Sequence, residues 1–264
     1  MYKAEGGHSM EEWFENERFW VDLYPFLFPE NKFQAAFEEI EKIVALTGFQ
    51  GKRVLDLCCG PGRHTVVLAK KGYTVTAVDR TPFLLKKAQE LAQAEGVSVE
   101  WVLEDMRNFV RRDTYDLVLN LYTSFGYFDE KQDDLRVLQN IYASLKPGGV
   151  CVLELMGKEI LARIFGPTSS EQLPDGSLIV QCHEIFDEWT RIRNDWILIK
   201  DGKATSFRFH HTIYSGQELK DRLLGVGFSK VRLFGSLDGE EYGLPAQRLI
   251  AAAVKAESSH DDHE

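Results

Sequence analysis

Short apolar runs and segments of helical period alternate along the first half of the chain. The apolar runs predict four strands, at 54–57, 74–78, 97–103 and 115–121. A helix over 129–145 and a Lys-Pro-Gly-Gly turn precede a fifth strand at 150–156. Strands that alternate with helices are typical of a parallel sheet with helices on its faces.

The pattern changes after residue 156. Three segments alternate polar and apolar residues between turn signals, at 178–185, 191–199 and 205–214. Strict alternation predicts an antiparallel meander of three strands. A helix at 216–224 and strands at 231–234 and 247–254 then follow, the last strand running antiparallel. The meander is therefore an insertion between the fifth strand and the last helix.

Aromatic residues are concentrated ahead of the sheet. Residues 9–23 carry Trp13, Trp20 and several phenylalanines among acids, which predicts an amphipathic helix with an aromatic face. A break over 24–29 and a second helix over 31–46 follow. The tryptophans either pack on the sheet or cover a bound ligand, and the sequence leaves both interpretations open.

The turn after the first strand has the composition of a ligand site. It reads Asp-Leu-Cys-Cys-Gly-Pro-Gly from Asp56 to Gly62, and a helical pattern follows. Small residues let the backbone approach a ligand, and the helix N-terminus offers free N–H donors. A dinucleotide-binding fingerprint would have a third glycine where Thr65 stands. An ordinary strand-turn-helix unit without a ligand is the alternative.

This turn resembles motif I of class I S-adenosylmethionine-dependent methyltransferases. Gly60 and Gly62 match the motif, and Cys58 stands where its first glycine is usual. Further signals follow in the family's order: Asp79 after the second strand, Asp105 after the third, a Ser-Phe-Gly-Tyr segment after the fourth and the Pro-Gly-Gly turn. The resemblance covers about 50–156 and 215–254. It implies an α/β fold with a Rossmann-like seven-stranded sheet, its last strand antiparallel, flanked by helices.

The resemblance also implies S-adenosylmethionine as the cofactor. Its ribose hydroxyls would bind Asp79, and its methionine end would lie over Gly60. Asp105 would accept a hydrogen bond from the adenine amine, while Met106 packs on the ring. The full set of implied cofactor contacts is Asp56, Cys58, Gly60, Gly62, Asp79, Arg80, Asp105, Met106, Asn120 and Leu121.

The aromatic segment at 122–128 is expected to face the transferable methyl group. Tyr127 is the better candidate to orient or deprotonate the acceptor, Tyr122 is the second, and His211 of the insertion is the third. An ordinary tyrosine pKa near 10 disfavours a base unless the pocket lowers it. The Asn-Pro-Pro-Tyr and Pro-Cys motifs of nucleobase methyltransferases are missing from this chain.

Two segments are expected to wall the acceptor site. The loop at 235–245 offers Asp238 and Tyr242, and it follows a parallel strand whose end lies on the cofactor edge. The insertion offers cationic and imidazole groups, namely His183, Arg191, Arg193, His210 and His211. The alternative is that these groups are solvated at a hairpin tip and on an exposed sheet face.

The composition limits the classes of molecule that this protein is expected to bind. A net charge of −10 argues against nonspecific binding to nucleic acid or anionic membranes. The four cysteines form no C-x-x-C pair, so we expect no metal site. No apolar run approaches the roughly 20 residues of a membrane span, and no secretory signal is evident, which favours a cytoplasmic protein.

These observations predict an organisation and a function. We expect a helical cap at 1–50, a core at 51–156 and 215–256, a substrate-binding insertion at 157–214 and a disordered tail at 257–264. The predicted function is methyl transfer to nitrogen or oxygen of a small-molecule acceptor by in-line displacement. The alternatives are a non-catalytic S-adenosylmethionine sensor and, with less support, an NAD(P)-dependent oxidoreductase.

Overall fold

The computed structural model describes residues 12–257, so residues 1–11 of the predicted cap and the tail beyond 257 lie outside it. A 3₁₀ turn at Trp13–Glu15 opens the described chain. The helices are α1 (Glu17–Leu27), α2 (Glu30–Thr47), α3 (Arg63–Lys70), α4 (Pro82–Ala94), α5 (Lys131–Ser144), α6 (Lys158–Ile164) and α7 (Gly216–Val226). The strands are β1 (Arg53–Leu57), β2 (Thr74–Asp79), β3 (Glu100–Leu103), β4 (Tyr115–Asn120), β5 (Leu145–Leu155), β6 (Thr168–Gln172), β7 (Leu178–Phe186), β8 (Arg191–Lys200), β9 (Lys203–Thr212), β10 (Lys230–Phe234) and β11 (Leu249–Val254).

Seven strands form the main sheet, in the order β10-β11-β5-β4-β1-β2-β3. Strands β1 to β5 are parallel, and β11 runs antiparallel between β5 and β10. The predicted fold is confirmed. The strand order reverses between β1 and β4, and open α/β sheets bind ligands at such a point, beyond the carboxyl ends of the strands.

A separate antiparallel sheet follows β5, as predicted, but it has four strands, in the order β6-β7-β8-β9. The sequence pattern misses β6 because all five of its residues are exposed and none is apolar. Helix α1 packs on this sheet, where Phe19 and Leu23 join a cluster with Ile179, Phe207 and Phe209. The inserted sheet and the N-terminal aromatic residues therefore share one hydrophobic core.

Two of the differences between predicted and observed boundaries bear on the packing. Helix α1 continues through Pro25 to Leu27, across most of the predicted break at 24–29, and Leu27 packs against the cluster on the inserted sheet. The Lys-Pro-Gly-Gly segment is no free turn but lies inside β5. Tyr115 pairs with Leu145 and Leu117 pairs with Val150, so the four residues between them bulge out of the ladder.

Candidate active site

A cavity of about 530 Å³ opens at the carboxyl ends of β1, β2 and β3. We call it the first cavity. Eight of the ten residues predicted to bind the cofactor line it: Asp56, Cys58, Gly60, Asp79, Arg80, Asp105, Met106 and Leu121. They come from four separate turns at the strand ends, so the parallel sheet brings them together.

The turn after β1 lines this cavity, and several of its residues have a left-handed backbone conformation. Cys58, Gly60 and Gly62 have φ values of +64°, +55° and +80°. This region strongly favours glycine, which explains why the Cys58 position is normally a glycine in the motif. The Cys58 thiol contacts the Met106 sulfur at 3.4 Å. The thiol therefore takes space at the cavity floor that a glycine would leave open.

Asp79 lies at the end of β2 and is buried. Its carboxylate accepts hydrogen bonds from the backbone N–H groups of Gly60 and Thr81, both at 2.8 Å. Burial raises the pKa of Asp79, which these bonds partly offset. A carboxylate has about four lone-pair sites, so the Asp79 carboxylate can still accept a hydrogen bond from a donor in the cavity.

Asp105 is held differently, by two arginines. Arg107 donates through its backbone N–H, its Nε and its Nη2, at 2.7, 3.1 and 2.7 Å, and Arg80 donates a fourth hydrogen bond. Burial alone would raise the pKa of Asp105, but the hydrogen bonds from Arg107 outweigh it and the pKa is lowered. Four donors occupy the carboxylate, so the adenine amine implied for Asp105 has to displace one.

The N-terminal segment closes this end of the first cavity. Glu12 accepts from Arg107 Nη1 and Nη2 at 2.9 and 2.6 Å, and Glu15 pairs with Arg80. Phe14 lines the cavity between them. Arg80, predicted as a cofactor contact, is thus shared between Asp105 and the acids of this segment.

Two predicted cofactor residues lie outside the cavity wall. A Cβ at Gly62 would approach the Ala88 Cβ to 2.7 Å, so this glycine permits α3 to pack on α4. Asn120 is fully buried and its Nδ2 donates to the Leu57 carbonyl at 3.1 Å. It ties the end of β4 to the end of β1. Both residues support the site from below.

A cationic corner lies beside the turn, and the sequence analysis missed it. Glu39 of α2 accepts from Arg63 Nη1 at 2.6 Å and contacts His64 Nε2 at 2.7 Å. Burial opposes ionisation of Glu39, but the His64 hydrogen bond and the Arg63 charge lower its pKa to about 2. Lys32, Arg63 and His64 all line the first cavity. Arg63 and His64 directly follow the motif, but Glu39 is one acid among many on an amphipathic helix.

Tyr122 covers this corner. Its hydroxyl donates to Glu39 Oε1 at 3.0 Å, and the Arg63 guanidinium lies 3.9 Å from its ring centre. Tyr122 and Thr123 both have positive φ, +57° and +61°. Consecutive non-glycine residues in this conformation are costly and concentrate at functional sites. The sharp turn after β4 is therefore a marked feature of the site.

A second cavity, of about 590 Å³, lies between the core and the inserted sheet. The two cavities share a wall of six residues: Trp20, Leu27, Tyr122, Thr123, Tyr127 and Arg248. Aromatic residues from α1 and the inserted sheet supply much of the remaining lining. Arg248 stands just before β11, and no motif in the sequence analysis pointed to it.

Tyr127 and His211 both line this second cavity, and their ring centres are 6.4 Å apart. Burial raises the pKa of Tyr127 well above its ordinary value, with further contributions from the nearby Cys58 and Asp79. Burial, together with His210 and His183, lowers the pKa of His211 from 6.5 to about 4. Tyr127 is therefore a neutral hydroxyl at neutral pH, and His211 is a neutral imidazole.

Most of the other predicted acceptor contacts lie away from both cavities. Asp238 pairs with Lys42 at 2.9 Å, and the Tyr242 hydroxyl donates to Glu159 at 2.8 Å. The remaining three, Arg191, Arg193 and His210, pair with acidic residues or a backbone carbonyl beside the inserted sheet. The loop at 235–245 starts at the predicted edge of the sheet, but it packs toward α2 and α6. His183 and His211 alone, of the groups named in the insertion, line the second cavity.

Within the described residues, 12–257, the structure offers neither a cluster of metal-binding side chains nor a membrane-spanning helix. No group of three or more His, Cys, Asp or Glu side chains there is arranged to hold a metal ion. None of the helices in that range combines the length and the apolarity that a membrane crossing requires.

Comparison with known proteins identifies the family. A family model described as a methyltransferase domain matches residues 54–149. The putative methyltransferase YqeM of Bacillus subtilis is 27% identical, covering 78% of this chain and 85% of YqeM. The cypemycin N-terminal methyltransferase of a Streptomyces species is 30% identical, covering 76% of this chain and 82% of that protein. The chain belongs to the class I S-adenosylmethionine-dependent methyltransferases.

The fold of this methyltransferase is also found in solved structures. The structure of S-adenosylmethionine-bound CalS10, an amino pentose methyltransferase from Micromonospora echinaspora, superimposes with a TM-score of 0.68 at 19% identity. It covers 96% of this chain and 100% of CalS10. Membership of the family makes S-adenosylmethionine the methyl donor and excludes the oxidoreductase alternative.

The first cavity has side chains that fit this cofactor. The Asp79 and Asp105 carboxylates suit hydroxyl and amine donors, and Lys32 and Arg63 suit a carboxylate. Gly60 leaves the cavity floor without a side chain: a Cβ there would stand 3.6 Å from the Phe28 ring. The cavity thus holds a chemical partner for each polar end of the cofactor.

Proposed function

We propose that this methyltransferase moves a methyl group to nitrogen or oxygen of a small molecule by in-line displacement, with the acceptor in the second cavity. The observation that carries the proposal is the wall shared by the two cavities at Tyr122, Thr123 and Tyr127. An acceptor in one cavity can approach a methyl group held in the other only along this wall.

We assign the cofactor's polar groups to residues of the first cavity. Asp79 binds the ribose hydroxyls, and the methionine end lies over Gly60 with its carboxylate toward Lys32 and Arg63. Met106 packs on the adenine. Asp105 takes the adenine amine in exchange for its bond from Arg80, because its carboxylate is already occupied by four donors.

The reaction needs little acid or base chemistry from the protein. S-adenosylmethionine supplies an electrophilic methyl group on a sulfonium. The acceptor's lone pair forms the new bond to the methyl carbon as the carbon–sulfur bond breaks, and that electron pair stays on sulfur. A proton carried by the acceptor leaves to solvent. Positioning of two reactants in line can supply roughly 7–11 kcal/mol, which is the main task of the shared wall.

The three candidate catalytic residues take different parts in this proposal. Tyr127 orients the acceptor through a neutral hydroxyl, because burial disfavours its phenolate. Tyr122 holds the shared wall, since its hydroxyl is bound to Glu39. The unpartnered Nδ1 of His211 hydrogen-bonds the acceptor. A pKa of about 4 makes His211 a weak base. It therefore orients the acceptor by a hydrogen bond and does not retain the acceptor's proton.

A small-molecule acceptor is supported by the volume of the second cavity and by the relatives' names. The CalS10 structure is that of an amino pentose methyltransferase, and the Streptomyces relative is named as the cypemycin N-terminal methyltransferase. A volume of about 590 Å³ lies within the range of drug-sized ligand pockets. The acceptor atom itself, nitrogen or oxygen, is what the experiment has to determine.

A metabolite extract incubated with methyl-labelled S-adenosylmethionine tests the proposal. We expect mass spectrometry to find at least one small molecule that gains a single labelled methyl group, and its fragmentation to place the label on nitrogen or oxygen. The Asp79→Ala variant is the control for background transfer. Cofactor binding without labelled product in any small-molecule extract would contradict the proposal.

A further inference from the structure

We infer that the acceptor carries a carboxylate, or a similar anionic oxygen group, on an apolar body. The guanidinium of Arg248 and the free N–H donors in the wall of the second cavity bind this anionic end. The inference rests on the proposed function, because it takes the second cavity as the acceptor site.

The first observation is the charge of the wall. No Asp or Glu is among the described residues that line the second cavity, and Arg248 is the one Lys or Arg there. The remaining side chains are aromatic, aliphatic, hydroxyl-bearing, amide or imidazole groups. His211 stays neutral at neutral pH. A cationic acceptor would find no carboxylate in this lining, whereas an anionic one finds a guanidinium.

Arg248 is held so that part of its guanidinium stays available. Its Nε donates to Glu154 Oε1 at 2.5 Å, and the buried Glu154 fixes the plane of the group. No hydrogen bond joins its Nη atoms to any residue between 12 and 257. The guanidinium lies 5.1 Å from the Tyr122 ring centre, at the wall between the cavities. Arginine pairs with carboxylates through two parallel N–H bonds.

Two further cations lie close to Arg248, around the Tyr122 ring. Lys32 lies 5.4 Å and Arg63 3.9 Å from the Tyr122 ring centre, and Arg63 pairs with Glu39 as Arg248 pairs with Glu154. Burial lowers the pKa of Lys32, and the charges of Arg63 and Arg248 lower it further. These three cations therefore repel one another, and an anionic group bound close to them would relieve that repulsion.

The second, independent observation is a set of buried donors with no acceptor. Asn194 is buried, its Oδ1 lies 2.7 Å from His183 Nδ1, and its Nδ2 has no partner. The Nε1 atoms of Trp13 and Trp196 are also buried and unpartnered. All three residues line the second cavity. Indole N–H groups only donate, so the wall offers donors and a ligand rich in oxygen acceptors would satisfy them.

The rest of the wall sets the body of the acceptor. Trp20, Ile192 and Phe209 present apolar surface to the same cavity. Aromatic faces also attract cations, but the Arg248 charge opposes a cation here. An amine acceptor remains compatible when its molecule carries a carboxylate elsewhere. A purely cationic amine, such as an amino sugar without an acid group, does not fit.

Three probes with one body and different charges test this inference. They are 3-(4-hydroxyphenyl)propanoate, its uncharged amide and the cationic tyramine, each titrated by calorimetry into the protein saturated with S-adenosylhomocysteine. We expect the propanoate to bind at least tenfold more tightly than the amide, and tyramine to bind most weakly. Arg248→Gln should reduce the preference for the propanoate over the amide to less than about threefold, while Arg248→Lys keeps most of it.

A second variant avoids the wall shared with the cofactor. Asn194 lines the second cavity but not the first, and Asn194→Asp keeps an oxygen beside His183 while it removes a donor and adds a negative charge. It should abolish the preference for the propanoate and leave the affinity for S-adenosylhomocysteine unchanged. Loss of cofactor affinity in this variant would count against the separation of the cavities on which the inference depends.

The outcomes separate this inference from the proposed function. Equal or tighter binding of the amide or tyramine, a preference that survives in both Arg248→Gln and Asn194→Asp, or no binding of the propanoate at millimolar concentration would overturn the inference. Labelled methyl transfer to a neutral or cationic small molecule would overturn it too, yet leave the proposed function intact. Absence of any methyl transfer would instead contradict the proposed function.

Discussion

Buried carboxylates line the first cavity, whereas the second cavity is lined by aromatic rings, histidines and Arg248. The carboxylates of the first cavity are hydrogen-bonded to the backbone or to arginines, so that half is rigid before any ligand arrives. The second cavity keeps several N–H donors without partners. The first cavity is thus preorganised, whereas the second keeps donors that the proposed acceptor would satisfy.

The largest expected effect is on cofactor binding in the first cavity alone. Asp79→Ala removes the two charge-assisted hydrogen bonds proposed to the ribose, each worth about 1.5–3 kcal/mol. We expect affinity for S-adenosylmethionine to fall more than tenfold in calorimetry. Asp238→Ala is the matched control, because that aspartate pairs with Lys42 on the surface and should leave the affinity unchanged. Equal affinities of wild type and Asp79→Ala would remove Asp79 from the cofactor site.

The next prediction tests whether Gly62 is required for packing α3 on α4 and not for contact with the cofactor. Gly62→Ala places a Cβ 2.7 Å from the Ala88 Cβ at a φ of +80°. Left-handed backbone costs about 1–2 kcal/mol and overpacking about 1–3 kcal/mol, so the free energy of unfolding should fall by about 2–5 kcal/mol. Gly72→Ala has a similar φ of +84° with open space around it, and should lose only the first part. Urea denaturation measures both, and equal losses would exclude the helix contact as the reason for this glycine.

The neutral imidazole of His211 in the second cavity should make the stability of the fold depend on pH. The folded pKa of His211, about 4, lies below its ordinary 6.5, so the unfolded chain binds a proton there first as the pH falls. His211 therefore stabilises the fold above pH 6.5, and this contribution is lost as the pH falls toward 4. Between pH 7 and 5 the loss is at most about 2 kcal/mol. Titration of His211 by NMR checks the value, and a midpoint near 6.5 would contradict the burial argument.

The smallest expected effect concerns a single hydroxyl. Tyr127→Phe removes only the neutral hydroxyl proposed to orient the acceptor, so turnover should fall about tenfold, an effect of 1.4 kcal/mol. Cofactor affinity should stay unchanged. Tyr242→Phe is the control, since that hydroxyl bonds Glu159 away from both cavities. Turnover unaffected in Tyr127→Phe would make the hydroxyl structural.

The sequence predicted the two halves unequally, for a physical reason. The cofactor half is built from turns at the ends of consecutive parallel strands, so Asp56, Asp79 and Asp105 can be read from local patterns and topology. The acceptor half is assembled from α1, the inserted sheet and the residue before β11, which only the tertiary fold brings together. Arg248 and Asn194 therefore carried no local signal.

The wrong predictions have the same origin. Asp238 and Tyr242 follow a parallel strand and start at the correct edge, but their partners Lys42 and Glu159 lie on helices that the sequence pattern does not position. Strand β6 was missed because it buries nothing. Alternation of apolar and polar residues indicates a strand with one buried face, and a fully exposed edge strand has no buried face.

The division of the site into a cofactor half and an acceptor half is tested most directly by one crystal structure, with S-adenosylhomocysteine and the methylated product both bound. The account predicts the ribose against Asp79, the adenine beside Met106 and the product in the second cavity, its new methyl group at the wall formed by Tyr122, Thr123 and Tyr127. A product bound outside the second cavity, or a cofactor that occupies it, would contradict the account.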